Sequence, residues 1–169
     1  MRTYSLMRKT AVTLTLLAAW AAPSALKAEA GDATVGVLAG YNSETESALA
    51  GVYFQYQPSS WLRLAPSVQS LASKDDVSAL HIDGNAHAVL PAGGKCSYYP
   101  LAGISYQSWR FSGDDVSEED DTYNKFGVNV GLGFEVRPTA SMKFFVEGKY
   151  TFIEHYSSAS VYVGIGYTF

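Results

Sequence analysis

The chain has 169 residues, which is enough for one domain and short for two. Its 12 basic and 16 acidic side chains give a net charge of −4, which argues against nucleic acid as a partner, because phosphates attract basic surfaces. Cys96 is the single cysteine, so an intrachain disulfide is excluded.

The first 30 residues have the pattern of a secretory signal peptide. Three basic residues within the first nine precede an uncharged, largely apolar run at 11–22, and the Ala-Glu-Ala at 28–30 fits a cleavage site. A membrane anchor is the alternative, but the run is shorter than the ~20 residues of a spanning helix. We predict a cleaved signal peptide at 1–30 and one domain at 31–169, whose 8 basic and 15 acidic side chains give a net charge of −7.

From residue 31 onward, apolar and polar residues alternate with a period of two, which is typical of strands, and no stretch of helical period appears. Eight strands are predicted, at 33–41, 48–57, 61–71, 77–90, 96–110, 125–137, 141–153 and 159–169.

The connections between these strands fall into two alternating classes. Those at 58–60, 91–95 and 138–140 are tight and begin with proline, whereas the others are longer on average, polar and mostly acidic. Short turns at one end and longer loops at the other are typical of outer-membrane barrels. The predicted fold class is therefore all-β, an eight-stranded antiparallel up-and-down transmembrane β-barrel.

Each strand has one apolar face and one polar face, which also fits a soluble lipocalin-like cup with its apolar face inside. Two features favour the membrane barrel: the acidic residues crowd into the loops, and aromatic residues cluster towards the strand ends, as in lipid-interface girdles. These aromatic residues are Tyr41, Phe54, Tyr56, Trp109, Tyr150, Phe152, Tyr167 and Phe169. In the membrane barrel, Phe126, Val128, Val130 and Leu132 face lipid, while Asn129 and Glu135 face the lumen.

The lumen of an eight-stranded barrel is just wide enough for side chains to fill it. The alternation predicts an interior polar network of Arg63, Asp83, Glu135, Lys143, Glu147 and Lys149, accompanied by Tyr53, Gln55, His81, His87 and Asn129. Because buried charges must be paired, this network predicts an ionic plug, with a narrow polar passage as the alternative.

Two further expectations concern the lumen. The inward glycines are expected to make room for the long Lys and Arg side chains; they are Gly127, Gly131, Gly133, Gly164 and Gly166. His81 and His87 lie six residues apart, which is about 20 Å along a strand, so they cannot share one metal ion. No cofactor is predicted.

The chain resembles the small eight-stranded outer-membrane barrels of the OmpA/OmpX type over 31–169. The closing "VYVGIGYTF" is similar to the C-terminal β-signal of that family, and "YYPLAGISYQSW" resembles a central strand of small porin-family proteins. The resemblance implies an assembly signal at Tyr167 and Phe169 that is presented to the barrel-assembly machinery. It also implies outer-membrane lipids and lipopolysaccharide as partners.

Two weaker candidate sites lie in the loops. Carboxylates of the third long loop would suit calcium or magnesium, although their spacing matches no calcium-loop motif; they are Asp114, Asp115, Glu118, Glu119, Asp120 and Asp121. His155 and Ser157 resemble the His-x-Ser pair of lipid A 3-O-deacylases. No acidic residue follows Glu154, so the acid of that family is missing.

The sequence therefore predicts a non-enzymatic barrel of the bacterial outer membrane with a structural or surface-interaction role. A small conduit for small or hydrophobic solutes is the first alternative, and a lipid A deacylase-like hydrolase is the second.

Overall fold

The computed structural model describes residues 30–71, 77–111, 122–154 and 157–169. Nearly all of them lie in strands: β1 (Ala33–Asn42), β2 (Ser47–Tyr56), β3 (Leu62–Leu71), β4 (Val77–Ala88), β5 (Leu90–Gly93), β6 (Cys96–Phe111), β7 (Thr122–Val136), β8 (Met142–Phe152) and β9 (Ser158–Thr168). The predicted signal peptide lies outside the described residues except for Ala30, and it stays a prediction.

The strands form one closed antiparallel sheet. β1 pairs with both β2 and β9, so the last strand closes the ring against the first, from Thr34 opposite Thr168 to Asn42 opposite Ser160. β4 and β5 both pair with β6 and follow one another along the same course, so they count as one strand of the barrel. The predicted eight-stranded antiparallel barrel is confirmed. Among the described residues, no helix is long and apolar enough to cross a membrane.

The fourth barrel strand differs from its prediction in two respects. It is interrupted at Val89, whose N–H donates to the carbonyl oxygen of Trp61 at 2.7 Å. The register places the preceding Ala88 opposite Pro100, which offers no N–H to the ladder. It also extends through most of the predicted turn at 91–95. Gly93 and Gly94 have φ angles of 94° and 59°, which glycine adopts readily, so the reversal itself is very tight.

The barrel has its apolar face outside and its polar face inside. Phe126 is 75% exposed and Leu132 is 66% exposed, whereas Asn129 and Glu135 on the same strand are at most 1% exposed. The same alternation holds in β3, β8 and β9. A soluble cup requires the opposite arrangement, so the membrane-barrel interpretation is confirmed. We call the end with the connections after β2, β5 and β7 the turn end, and the opposite end the loop end.

The predicted aromatic girdles are present, with one correction. Tyr41 and Phe152 near the loop end, and Phe54, Tyr167 and Phe169 near the turn end, are exposed on the outer face. Trp109 is instead half-buried and faces the lumen, where its ring lies 5.9 Å from that of His81. The prediction for Trp109 is wrong because it used the position along the strand and not the phase of the alternation.

Three of the five predicted inward glycines accommodate an aromatic side chain. A Cβ atom on Gly133 would overlap the ring of Tyr99, and one on Gly164 would overlap the ring of Phe145. In both cases the ring belongs to the residue directly opposite in the neighbouring strand. Tyr53 lies opposite Gly36 on β1, and its hydroxyl reaches across that strand to Gly166 on β9. At Gly133, Gly164 and Gly166 the expectation that these glycines make room for Lys and Arg chains is therefore wrong, because aromatic rings occupy the space. A Cβ atom on Gly127 or Gly131 would meet no ring, and Gly131 lies opposite Lys149, so the expectation is not contradicted there.

A charge placed on the outer face tests the orientation of the barrel. Leu132→Arg places a guanidinium on the outer face near the middle of the wall, and we expect it to lower the free energy of unfolding by about 2–4 kcal/mol, as at a bilayer midplane. Asn124→Arg, outward near the loop end, should cost about 0–1 kcal/mol. Equilibrium urea unfolding in lipid vesicles measures both. If the two substitutions lowered the free energy of unfolding by equally small amounts, Leu132 would not face hydrocarbon.

A methyl group on an inward glycine tests the ring packing. Gly133→Ala should destabilise the barrel by about 1–3 kcal/mol, because the new Cβ forces the buried Tyr99 ring out of its place. Gly148→Ala is the matched control, since nothing lies within 4 Å of a Cβ at that outward position. The same unfolding measurement applies, and a cost at Gly148 as large as that at Gly133 would rule out the ring as the cause.

Candidate functional site

A bidentate ion pair crosses the lumen near the turn end. Arg63 on β3 donates from Nη1 and Nη2 to the two carboxylate oxygens of Glu135 on β7, at 2.7 and 2.8 Å. Both side chains are 1% exposed. β3 and β7 are three strands apart around the shorter arc of the ring, so the pair spans the interior and does not run along the wall. Geometry of this kind is the strongest form of a protein ion pair.

Two more cations surround Glu135. Arg137 Nε lies 3.5 Å and Lys143 Nζ lies 3.9 Å from its carboxylate oxygens. Lys143 also donates to the side-chain oxygen of Gln55, and Arg137 donates to Asp32 at 2.9 Å. Glu135 therefore holds three positive charges in place, and Asp32 compensates part of the excess. We call these five charged residues the turn-end charge centre: Asp32, Arg63, Glu135, Arg137 and Lys143.

A second charge centre lies farther along the lumen. Lys149 on β8 pairs with Asp83 on β4, and Gln69 Nε2 donates to the same carboxylate at 2.8 Å. Asn129 Nδ2 lies 3.2 Å from the other oxygen of Asp83 and 2.9 Å from Asn85 Oδ1. The carboxylate is thus satisfied by one cation and two amides, as a buried charge requires.

Aromatic and imidazole rings connect the two centres. The rings of His87 and Tyr99 are stacked, with centroids 4.5 Å apart and planes 7° apart, and the Arg63 guanidinium lies 5.4 Å from the Tyr99 centroid. The Tyr99 hydroxyl donates to Glu147 at 3.0 Å. Among the described residues, Glu147 has no cation within 4 Å, so this hydrogen bond replaces the ion pair that the sequence predicted for it.

A cluster of buried apolar side chains lies among the polar ones in the lumen, and sequence reasoning missed most of it. Its members, with Trp109 packed against them, are Leu38, Leu49, Tyr53, Leu71, Ala79, Phe145 and Tyr162. Leu49 and Leu71 have the phase of the inward set of their strands, so extending the alternation to the strand ends would have identified them. We call this cluster the apolar collar.

The structure places all six predicted network residues in the lumen, each at most 8% exposed. Arg63, Glu135 and Lys143 come together near the turn end, and Asp83, Glu147 and Lys149 lie farther along. His81 and His87 are also buried, on opposite sides of Asp83 along β4. Their function as a plug stays a prediction.

The weaker candidates lie largely outside the described residues. This applies to His155 and to all six loop carboxylates (Asp114, Asp115, Glu118, Glu119, Asp120 and Asp121). Ser157 is described, and its hydroxyl lies 3.4 Å from the carbonyl oxygen of Ile153. In the described ranges, no group of three or more His, Cys, Asp or Glu side chains is placed to hold a metal ion.

Removal of the Glu135 charge tests the turn-end charge centre. Glu135→Gln leaves three buried cations without their shared anion, and we expect a loss of about 3–5 kcal/mol in the free energy of unfolding. Glu154→Gln, at an exposed carboxylate near the loop end, should change stability by no more than about 0.5 kcal/mol. Urea unfolding in lipid vesicles compares the two variants. If the two variants lost similar amounts of unfolding free energy, the charge of Glu135 would not stabilise the barrel.

Comparison with known proteins agrees with this geometry. The chain matches the family model of the outer membrane protein beta-barrel domain over residues 10–169. No curated protein sequence matches it significantly.

Three solved structures are similar in fold. The N-terminal barrel of Pseudomonas aeruginosa OprF has 15% identity and a TM-score of 0.73, with 84% of this chain and all of that chain covered. Neisserial surface protein A has 14% identity and a TM-score of 0.66, covering 82% and 96%. The attachment invasion locus protein Ail of Yersinia pestis has 15% identity and a TM-score of 0.61, covering 83% and 99%. With a closed barrel, an apolar outer face and a family match over 160 of its 169 residues, the chain belongs to the outer membrane β-barrel proteins of Gram-negative bacteria.

Proposed function

We propose that this protein is a non-enzymatic barrel with a closed lumen, whose role is structural and surface-interactive. The observation that supports this most directly is the bidentate Arg63–Glu135 pair across the lumen, with both side chains 1% exposed. A solute passing through the barrel would have to displace this pair. Separating two buried charges without water to receive them is costly.

The apolar collar adds a second obstacle. Leu49 and Leu71 are buried near the loop end, and an ion that passes them would lose part of its hydration. An ion that crosses the lumen would therefore have to pass both the collar and the ion pairs. If the protein were instead a small conduit, the collar and the ion pairs would have to open at the same time.

The proposed surface role is supported by the charge of the loops. The third long loop carries six acidic residues between 114 and 121, which disfavours sulfated or phosphorylated ligands unless divalent cations bridge them. Ail of Yersinia pestis was crystallised with the heparin analogue sucrose octasulfate, an anion that these loops would repel directly. We propose lipopolysaccharide bridged by divalent cations, or a basic protein surface, as the loop partner. We further propose that Tyr167 and Phe169 present the assembly signal.

Conductance in planar lipid bilayers tests the closed lumen. Folded protein should insert without discrete current steps, because an ion would have to displace buried ion pairs and lose hydration at the collar. Slower migration after boiling, on gels of the same preparation, verifies that the barrel was folded, and a boiled sample serves as the blank. Reproducible steps from the folded sample alone would favour the conduit over the closed barrel.

A further inference from the structure

The ladder between β2 and β3 is interrupted in the wall of the barrel. Five consecutive pairs towards the loop end are followed by a gap of two residues in each strand, at 54–55 and 65–66, and then by a single pair, Tyr56 opposite Leu64. Among the described residues, each of the other seven pairs of neighbouring barrel strands has at least nine paired positions. β2 and β3 are therefore the most weakly joined neighbours in the ring.

A proline on the outer face accounts for the interruption. Pro66 has no N–H to donate, yet β3 stays paired with β4 without a break past Pro66, which lies opposite Gly84. Successive strand residues direct their N–H groups alternately to the two neighbouring strands, so the N–H that Pro66 lacks is one that would have pointed to β2. The carbonyl oxygen of Phe54, opposite Pro66 in this register, receives no hydrogen bond from it. Such a loss is costly in a wall that faces hydrocarbon.

The inner side of the interruption is thinly packed. A small cavity in the lumen is lined by Tyr53 and Gln55 of β2 and by Ala65 and Ser67 of β3, which are residues at or next to the gap. The two residues from β3 have small side chains, so little side-chain packing supports the wall where the backbone pairing is missing.

The turn-end charge centre holds both edges of the interruption. On the β3 edge, Arg63 forms its bidentate ion pair with Glu135 across the lumen. On the β2 edge, the side-chain oxygen of Gln55 accepts a hydrogen bond from Lys143, whose Nζ lies 3.9 Å from the same Glu135 carboxylate. Both weakly joined strands are thus connected through one buried carboxylate.

We propose that the turn-end charge centre is a clamp that closes a weak line of the barrel wall between β2 and β3. Its buried ion pairs and the Gln55 hydrogen bond replace, from inside the lumen, the backbone bonding that Pro66 removes. Release of Arg63 from Glu135 and local separation of β2 from β3 are then a single event. The clamp concerns the wall and does not depend on whether the barrel conducts or on what its loops bind.

Amide hydrogen exchange of the folded protein in lipid nanodiscs, followed by magnetic resonance, tests the weak line. The amides of Tyr56 and Leu64 should exchange about tenfold faster than those in the middle of the unbroken β8–β9 ladder. Pro66→Val restores the missing N–H and should slow the exchange of Tyr56 and Leu64 by about tenfold. Pro100→Val is the matched control, because it changes an outward proline in β6 and should leave their exchange unaltered.

Removal of the clamp is measured in the same way. Glu135→Gln should speed the exchange of Tyr56 and Leu64 by about tenfold and that of the β8–β9 amides much less, because only the β2–β3 line depends on the clamp. If Glu135→Gln does not fold, Arg63→Lys takes its place, since lysine keeps the charge but cannot form the bidentate pair.

Three outcomes would overturn the proposal. Wild-type exchange at Tyr56 and Leu64 as slow as in the β8–β9 ladder would show that no weak line exists. Unchanged exchange in folded Pro66→Val would show that the proline does not cause it. Equal acceleration of both ladders in the clamp variant would show that the ion pair stabilises the whole barrel and does not act on this line.

Discussion

Closure of the sheet between β1 and β9 is the constraint on which the rest of the structure depends. It gives the backbone N–H and C=O groups of both edge strands partners along most of their length. In hydrocarbon an unpaired backbone group costs several kcal/mol, so only helices and closed barrels span a bilayer. Once the ring is closed, the two faces of every strand have different solvents. The period of two then sends apolar side chains to lipid and polar side chains into the lumen.

Because the lumen is narrow, the polar side chains that point into it have few possible partners. Eight strands leave space for side chains but little for bulk water, so charges that point inward must satisfy one another. The Arg63–Glu135 pair does so across the lumen, and Asp83 does so with Lys149 and two amides. Such pairs add little net stability compared with apolar packing, but their disruption is expensive. They therefore fix which side chains meet more than they strengthen the barrel.

The sequence was sufficient for the strands, their faces and six of the lumen charges, because these depend only on the period of two and on the turn residues. Asp32 and Arg137 of the turn-end charge centre were absent from the predicted network. The sequence was not sufficient for the partners. Arg63 meets Glu135 because of how β3 and β7 are staggered around the ring, and that stagger is not encoded in either strand alone. The same reason explains why Glu147 meets the Tyr99 hydroxyl and no cation. Trp109 is a different case, because the phase of β6 was sufficient to place it inside.

The lumen has both ion pairs and apolar side chains along its length, and this mixture bears on function. The Arg63–Glu135 pair lies near the turn end, the Lys149–Asp83 pair lies farther along, and Leu49 and Leu71 of the collar lie near the loop end. Each kind of lining disfavours a different kind of solute: apolar molecules are disfavoured among the ion pairs, and hydrated ions are disfavoured at the collar. Two opposed linings within one narrow lumen are therefore consistent with the closed lumen that we propose.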